Sequence, residues 1–145
     1  MRRTRRAGGQ ALVELTLVFP FFLLVVLGGV IDFGFAFNNF LTLQQMVAEA
    51  ARFSAEGNGD RGVADAQVRE LVFRQKPDWW KGNFLIPPIE EKPTSDGRAV
   101  IKKMYLVYDS PMFTPFYQLM LEAVAGKASI RLATVAAWQV PVHVH

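Results

Sequence analysis

Leu15-Thr16-Leu17-Val18-Phe19-Pro20-Phe21-Phe22-Leu23-Leu24-Val25-Val26-Leu27-Gly28-Gly29-Val30-Ile31 runs for seventeen residues without a charge. As a helix rising 1.5 Å per residue it reaches about 25 Å, close to the ~30 Å hydrocarbon core of a bilayer. Ala11 to Val13 before it and the Phe-rich segment after it supply the remaining length, giving a membrane part over about residues 11–37. A cleaved secretory signal has the same basic-then-apolar order, but its apolar region is usually only about 7–15 residues long. The run therefore reads as a retained transmembrane helix. Pro20 inside it cannot donate to the carbonyl of Thr16, which predicts a kink or a locally melted turn, with the Thr16 hydroxyl as a local substitute.

Arg2, Arg3, Arg5 and Arg6 precede the run and hold four of the sixteen positive charges in a chain of 145 residues. Basic residues beside a span favour the cytoplasmic side, so the N-terminus is expected in the cytoplasm and the rest across the membrane. From Asn38 onward twelve Lys/Arg face eleven Asp/Glu. That near-neutral balance, with no basic stripe among aromatics, excludes a nucleic-acid partner despite the overall charge of +3. The chain has no cysteine, which removes thiolate catalysis, disulfides and Cys-based metal sites. Two carboxylates, Glu14 and Asp32, bracket the apolar run on one helix face, eighteen residues or five turns apart. Each can mark a membrane boundary in contact with headgroups. The boundary reading suits Asp32 better than Glu14, which follows Ala11, Leu12 and Val13. An acidic group held within apolar sequence is costly and usually has a specific partner, so both are kept as candidate site residues.

Gly8-Gly9-Gln10-Ala11-Leu12-Val13-Glu14 follows the arginine-rich leader and opens the long helix. It resembles a type IV prepilin processing site, in which a prepilin peptidase cuts after a glycine and a glutamate stands fifth in the mature chain. The resemblance implies cleavage between Gly9 and Gln10, so that residues 1–9 form a removable leader and Glu14 becomes the fifth residue. A cut after Gly8 would make it the sixth. Glycine suits the close approach of a protease to the backbone. Cleavage would leave twelve basic and thirteen acidic side chains, a net charge of −1. Glu14 would then be the partner of the new terminal amine of a neighbouring subunit.

Gln10 to Leu15, Phe19-Pro20, Ile31-Asp32-Phe33-Gly34, and Leu43-Gln44-Gln45 leading to Glu49-Ala50-Ala51-Arg52 together resemble the TadE-like family, pilin-like components of tight-adherence (Tad) pilus systems. Leu15 stands where the major Tad pilins usually carry an aromatic, and the chain is longer than those pilins. The resemblance therefore implies a minor component, and it assigns Glu14 and Asp32, within the resembling segments, to subunit assembly. Its implied partners are other pilin-like subunits, the prepilin peptidase, the inner-membrane assembly platform and lipid.

Asn38 to Glu56 contains no Pro or Gly and continues the helix as a stalk, so that 10–56 form one long element. Leu41, Gln44, Ala48, Ala51 and Ala55 recur at three- and four-residue intervals as a narrow seam of mostly small side chains, suited to close helix packing. The seam packs either on the chain's own ectodomain or on other subunits. Gly57-Asn58-Gly59 ends the helix.

Residues 57–145 read as a small α+β ectodomain. Asp60 caps a helix over about Val63–Lys76, stopped by Pro77. Asp78–Ser95 is expected to be irregular, with Pro87, Pro88 and Pro93. In it Trp79 and Trp80 close the edge of a small core or anchor at a membrane surface, and Glu90-Glu91 form a solvated loop pair. Arg98–Tyr108 and Ala128–His145 read as strands, and Met112–Ala125 as a helix with Pro115 in its first turn and Gly126 beyond its end. The fold class is α+β, pilin-like: a long transmembrane and stalk helix, then a short antiparallel sheet packed on helices.

No enzyme signature is present. Gly57-Asn58-Gly59 lacks the lysine and preceding strand of a phosphate loop. His143 and His145 lie on one strand face without an identifiable third ligand and are read as a surface pair, so neither metal nor cofactor is expected. These features predict a minor pilin or pseudopilin-like subunit that acts in pilus assembly as primer, tip or adaptor. The alternative is a generic single-pass anchor whose ectodomain binds an extracytoplasmic ligand.

Overall fold

The computed structural model describes residues 4–56, 63–95 and 97–142, the first five of them as backbone. Asp60 and the Gly57-Asn58-Gly59 terminator lie outside the described residues, as do His143 and His145. A single helix, α1 (Thr4–Ala55), is followed by α2 (Asp65–Gln75), β1 (Phe84–Leu85), β2 (Glu90–Pro93), β3 (Ala99–Pro111), α3 (Pro115–Ala125) and β4 (Ser129–Pro141). The chain is thus a long N-terminal apolar helix followed by a small α+β domain with an antiparallel sheet. It forms two compact units, both built on α1: one joins the helix up to Phe35 with Met112–Ala128, the other joins Ala36–Pro111 with the C-terminal strand.

In the second unit β3 is the centre of the sheet. β4 pairs antiparallel along one edge for the full length, from Ala99 opposite Pro141 to Pro111 opposite Ser129. Two short strands share the other edge: β2 opposite Val100–Lys103, and β1 opposite Val107 and Tyr108, both antiparallel. Strict alternation along β3 puts Lys102, Met104, Leu106, Tyr108 and Ser110 on the buried face. Against that face α1 brings Leu43, Met46, Val47 and Ala50, and α2 brings Val68 and Val72. Burial of these apolar side chains, at roughly 25 cal/mol per Å², holds the unit together.

Trp80 joins this core and stacks on Tyr108 with ring centroids 4.1 Å apart, whereas Trp79 is 68% exposed. One tryptophan therefore closes the core and its neighbour does not. Buried Asn39 of α1 ties the elements together. Its side-chain amide donates to the Ser110 hydroxyl at 3.0 Å, and its carbonyl oxygen accepts the Trp80 indole N–H at 2.8 Å. The buried Tyr108 hydroxyl accepts the Gly82 N–H at 3.3 Å. Burial pushes the Tyr108 phenol above its usual pKa, a shift that the Gly82 hydrogen bond only reduces.

Lys102 is the charged residue on the inner face of β3. Its ammonium lies 2.8 Å from Asp65 of α2 and 3.0 Å from Glu91 of β2. Burial works to lower its pKa, but the two carboxylates outweigh this and raise it above the ordinary lysine value. The Glu90-Glu91 pair is exposed, as expected, but it lies in the edge strand β2 rather than in a loop, with Glu91 paired to Lys102.

Other boundaries differ from the sequence expectation for local reasons. The segment 78–95 contains β1 and β2, of two and four residues, too short to show an alternating pattern. α2 ends at Gln75 because Lys76 precedes a proline and adopts extended backbone (φ −58°, ψ 124°). α3 starts at Pro115 rather than Met112 for the same reason: Thr114 is extended (φ −84°, ψ 132°) ahead of the proline. Gly126 closes α3 with φ 68°, the left-handed cap expected of glycine. β3 runs on to Pro111, because Ser110 faces the core toward Asn39 and Asp109 pairs across the sheet with Arg131 at 2.9 Å.

Candidate functional site

α1 is helical from Thr4, so the Gly9–Gln10 bond lies inside helical backbone rather than at its start. Gly9 has open space around it, and the Gln10 side-chain amide donates to the Glu14 carboxylate at 3.3 Å. Both Gln10 and Glu14 are exposed. The helix is unbroken through Pro20. The Thr16 hydroxyl donates to the Leu12 carbonyl at 2.8 Å, which is the common back-bond of a helical threonine. α1 is long and apolar enough to cross a membrane over part of Gly9–Ala55, and only 6% of its most apolar eighteen-residue window is buried. A helix serving as the core of a soluble domain would be largely covered. Leu12 to Phe37 instead present nearly every large side chain outward.

Asp32 is placed otherwise than a boundary residue in contact with headgroups. It is 2% exposed and accepts hydrogen bonds from the Phe113 N–H at 2.8 Å, from the Thr114 N–H at 3.2 Å and from the Thr114 hydroxyl. Its carboxylate stands at the N-terminal end of α3, where unpaired N–H groups and the helix dipole favour negative charge. The approach is close because α1 carries Gly28 and Gly29 here. A Cβ on Gly28 would lie 3.2 Å from Thr114, and one on Gly29 would lie 2.5 Å from the Tyr117 hydroxyl. That hydroxyl donates to the Val25 carbonyl at 3.1 Å, and the Phe33 and Tyr117 rings meet edge to face at 5.9 Å. The partner of Asp32 stands more than eighty residues away in the chain, beyond the reach of any local pattern.

Further along α1, Gln44, Ala48 and Ala55 are exposed and Ala51 is half-buried. The face that packs on the ectodomain is the neighbouring one: Leu43, Met46, Val47, Ala50 and Ser54. Both faces share the same spacing and differ by one residue in phase, so periodicity alone does not choose between them. The larger side chains of the second face were the available signal. Beside the open seam, Gln45, Ala48, Glu49, Arg52, Phe53 and Glu56 of α1 and Leu71 of α2 line a shallow groove of about 520 Å³. Among the described residues no group of three or more His, Cys, Asp or Glu could hold a metal ion.

The candidate residues read from the sequence, Glu14, Asp32 and the small-residue seam, all lie on α1, together with the exposed apolar stretch. Residues 9–52 match the family model for TadE-like protein. The match covers less than a third of the 145 residues and lies entirely on α1. No curated protein and no solved structure matches the chain. The matched segment is the one whose motifs the sequence pointed to, and it lies on the one helix among the described residues that is long and apolar enough to cross a membrane. Asn39, inside the TadE-like segment, was not singled out by sequence. Its two partners lie 41 and 71 residues away, and a lone Asn in a helix carries no local signal.

Proposed function

We propose that the chain is a minor pilin-like subunit of a Tad-type pilus system, non-enzymatic, anchored by α1 in the bacterial inner membrane with its N-terminus cytoplasmic and the sheet domain extracytoplasmic. Prepilin peptidase removes residues 1–9 between Gly9 and Gln10. The new amine then meets Glu14 of a neighbouring pilin-like subunit. The stalk seam of Gln44, Ala48, Ala51 and Ala55 packs against the same neighbours as the subunit is handed over by the assembly platform. The role in assembly is priming, tip formation or adaptation. Asp32 contributes indirectly, by fixing α3 to α1, and its carboxylate stays within its own chain.

One observation carries this reading: the TadE-like segment keeps an open surface, from Glu14 through the apolar stretch to the seam, while a different face of the same helix packs on the ectodomain. A carboxylate meeting a cation in low dielectric fixes axial register, and removing one partner of such a pair costs about 3–5 kcal/mol. Glu14→Ala should therefore leave the chain in the membrane fraction but reduce surface pili about a hundredfold or more, at ~1.4 kcal/mol per tenfold. Pilus counts by electron microscopy beside immunoblots of membrane fractions would check it. Normal piliation with the variant stably present would contradict the role of Glu14.

A further inference from the structure

The surface of α3 is unlike that of a helix that faces water. Phe116, Leu119, Met120 and Val124 are exposed, Leu119 by 68% and Val124 by 83%, and the helix has no buried residue. An exposed apolar patch of this kind normally marks a contact with protein or membrane. What lies beside it identifies which. α3 is fastened to the C-terminal end of the apolar span: the Phe113 ring contacts Phe35, Thr114 sits on Asp32 and Gly28, and Tyr117 reaches Gly29 and Val25. Leu27, Val30, Ile31 and Phe33 of α1, in the same stretch as these contacts, are exposed as well. The apolar surfaces of α1 and α3 are therefore continuous within one compact unit, and they meet the same surroundings.

The polar groups of α3 fit those surroundings. The N-terminal N–H groups of a helix are costly in hydrocarbon unless satisfied. Here the Phe113 and Thr114 N–H groups just ahead of the helix donate to Asp32, the first helical residue is Pro115, which has no N–H to satisfy, and the Gln118 N–H donates to the Thr114 carbonyl. The Tyr117 hydroxyl is bonded to Val25, and the Gln118 amide donates to the Met112 carbonyl at 2.7 Å. Gln118 and Glu122 are four residues apart and form one narrow polar stripe, and no Lys or Arg interrupts the helix before Lys127. An apolar face with a narrow polar stripe is the pattern of a helix lying in a membrane interface.

We propose that α3 is a second membrane-seated element, an interfacial helix whose Phe116, Leu119, Met120 and Val124 are covered by lipid acyl chains while the Gln118–Glu122 stripe faces the headgroups. The proposal rests on α1 crossing the bilayer. With α3 seated in lipid, the chain is held by a pair of helices, and the loop between β3 and β4 is fixed to the membrane surface.

The absence of cysteine makes single-site labelling of the full-length chain straightforward. Nitroxide labels would be placed on Leu119→Cys and Val124→Cys, with Leu23→Cys on α1 and Arg74→Cys on α2 as references, in phosphatidylethanolamine/phosphatidylglycerol vesicles. Collision rates with oxygen and with a water-soluble nickel chelate would be measured by electron paramagnetic resonance. Labels at 119 and 124 should show an oxygen-to-nickel collision ratio several-fold above that at 74 and no higher than that at 23. If 119 and 124 match 74 while 23 is shielded from nickel, the inference fails and the transmembrane reading of α1 stands. If they are shielded from both reagents and show spin–spin broadening that disappears on dilution with unlabelled protein, a second copy covers the face and lipid does not. If all four labels meet nickel equally, the membrane reading of α1 fails first.

Discussion

Asp32→Ala is expected to release α3 from α1. The carboxylate accepts from two backbone N–H groups and one hydroxyl at the start of α3, and in the folded chain it is almost fully buried. Hydrogen bonds to a charged group contribute about 1.5–3 kcal/mol each, and a lost helix cap costs about 1 kcal/mol. The bonds share one side chain and are not additive, so a total near 3 kcal/mol is the reasonable scale. Alanine leaves Phe113 and Thr114 with unpaired donors in an apolar setting, where water cannot replace the lost acceptor. Asp32→Asn retains an acceptor oxygen and should fall between wild type and alanine. Amide hydrogen exchange of the full chain in lipid nanodiscs would check this. Protection over 113–125 should drop in the alanine variant, with little change over β3 and β4. Unaltered protection of α3 would show that ring contacts alone hold it.

Gly82→Ala should have an effect of similar size on the second unit. A Cβ built on Gly82 would overlap the backbone carbonyl oxygen of Asp109, and it would lie 3.0 Å from the Tyr108 ring. Neither can yield cheaply. Asp109 is locked in the ladder with Arg131, its N–H donates to the Asn83 carbonyl at 2.9 Å, and Tyr108 is stacked on Trp80. Overpacking of this kind costs about 1–3 kcal/mol and more where backbone must move. A loss of 3 kcal/mol corresponds to roughly 10–20 °C in melting temperature for a domain of about this size. Thermal unfolding in detergent, followed by near-ultraviolet circular dichroism, would report the loss through the Trp80–Tyr108 stack. A melting point within a few degrees of wild type would mean that the 80–83 segment shifts freely.

The contrast between these two sites shows what a sequence of this kind can disclose. The apolar run, the Pro115 start and Gly126 end of α3, and the alternating strands are local patterns, and each is visible in a window of a few residues. Residues 10–52 also carried the motifs of a known family. Asp32, Asn39 and Gly82 owe their roles to partners 81–82, 41–71 and 27 residues away, respectively. Nothing near them in sequence announces those partners. α1 beyond the membrane is an intermediate case. Its two faces, Leu43–Met46–Val47–Ala50–Ser54 and Gln44–Ala48–Ala51–Ala55, have one period, and only the presence of the sheet selects the first as core. β2 was hidden differently: its charged, exposed residues suggested a loop, but Glu91 pairs with Lys102 across the ladder and makes an edge strand.

The open face of the stalk is where the assembly reading is most exposed to test. A photo-crosslinking amino acid placed at Ala48 or at Ala51, in cells that carry the pilus system and a prepilin peptidase, should join the chain to other pilin-like subunits, and the same probe at Arg74 on α2 should not. Crosslinks confined to lipid and to the chain itself, in cells that assemble pili normally, would contradict a stalk that packs against its neighbours.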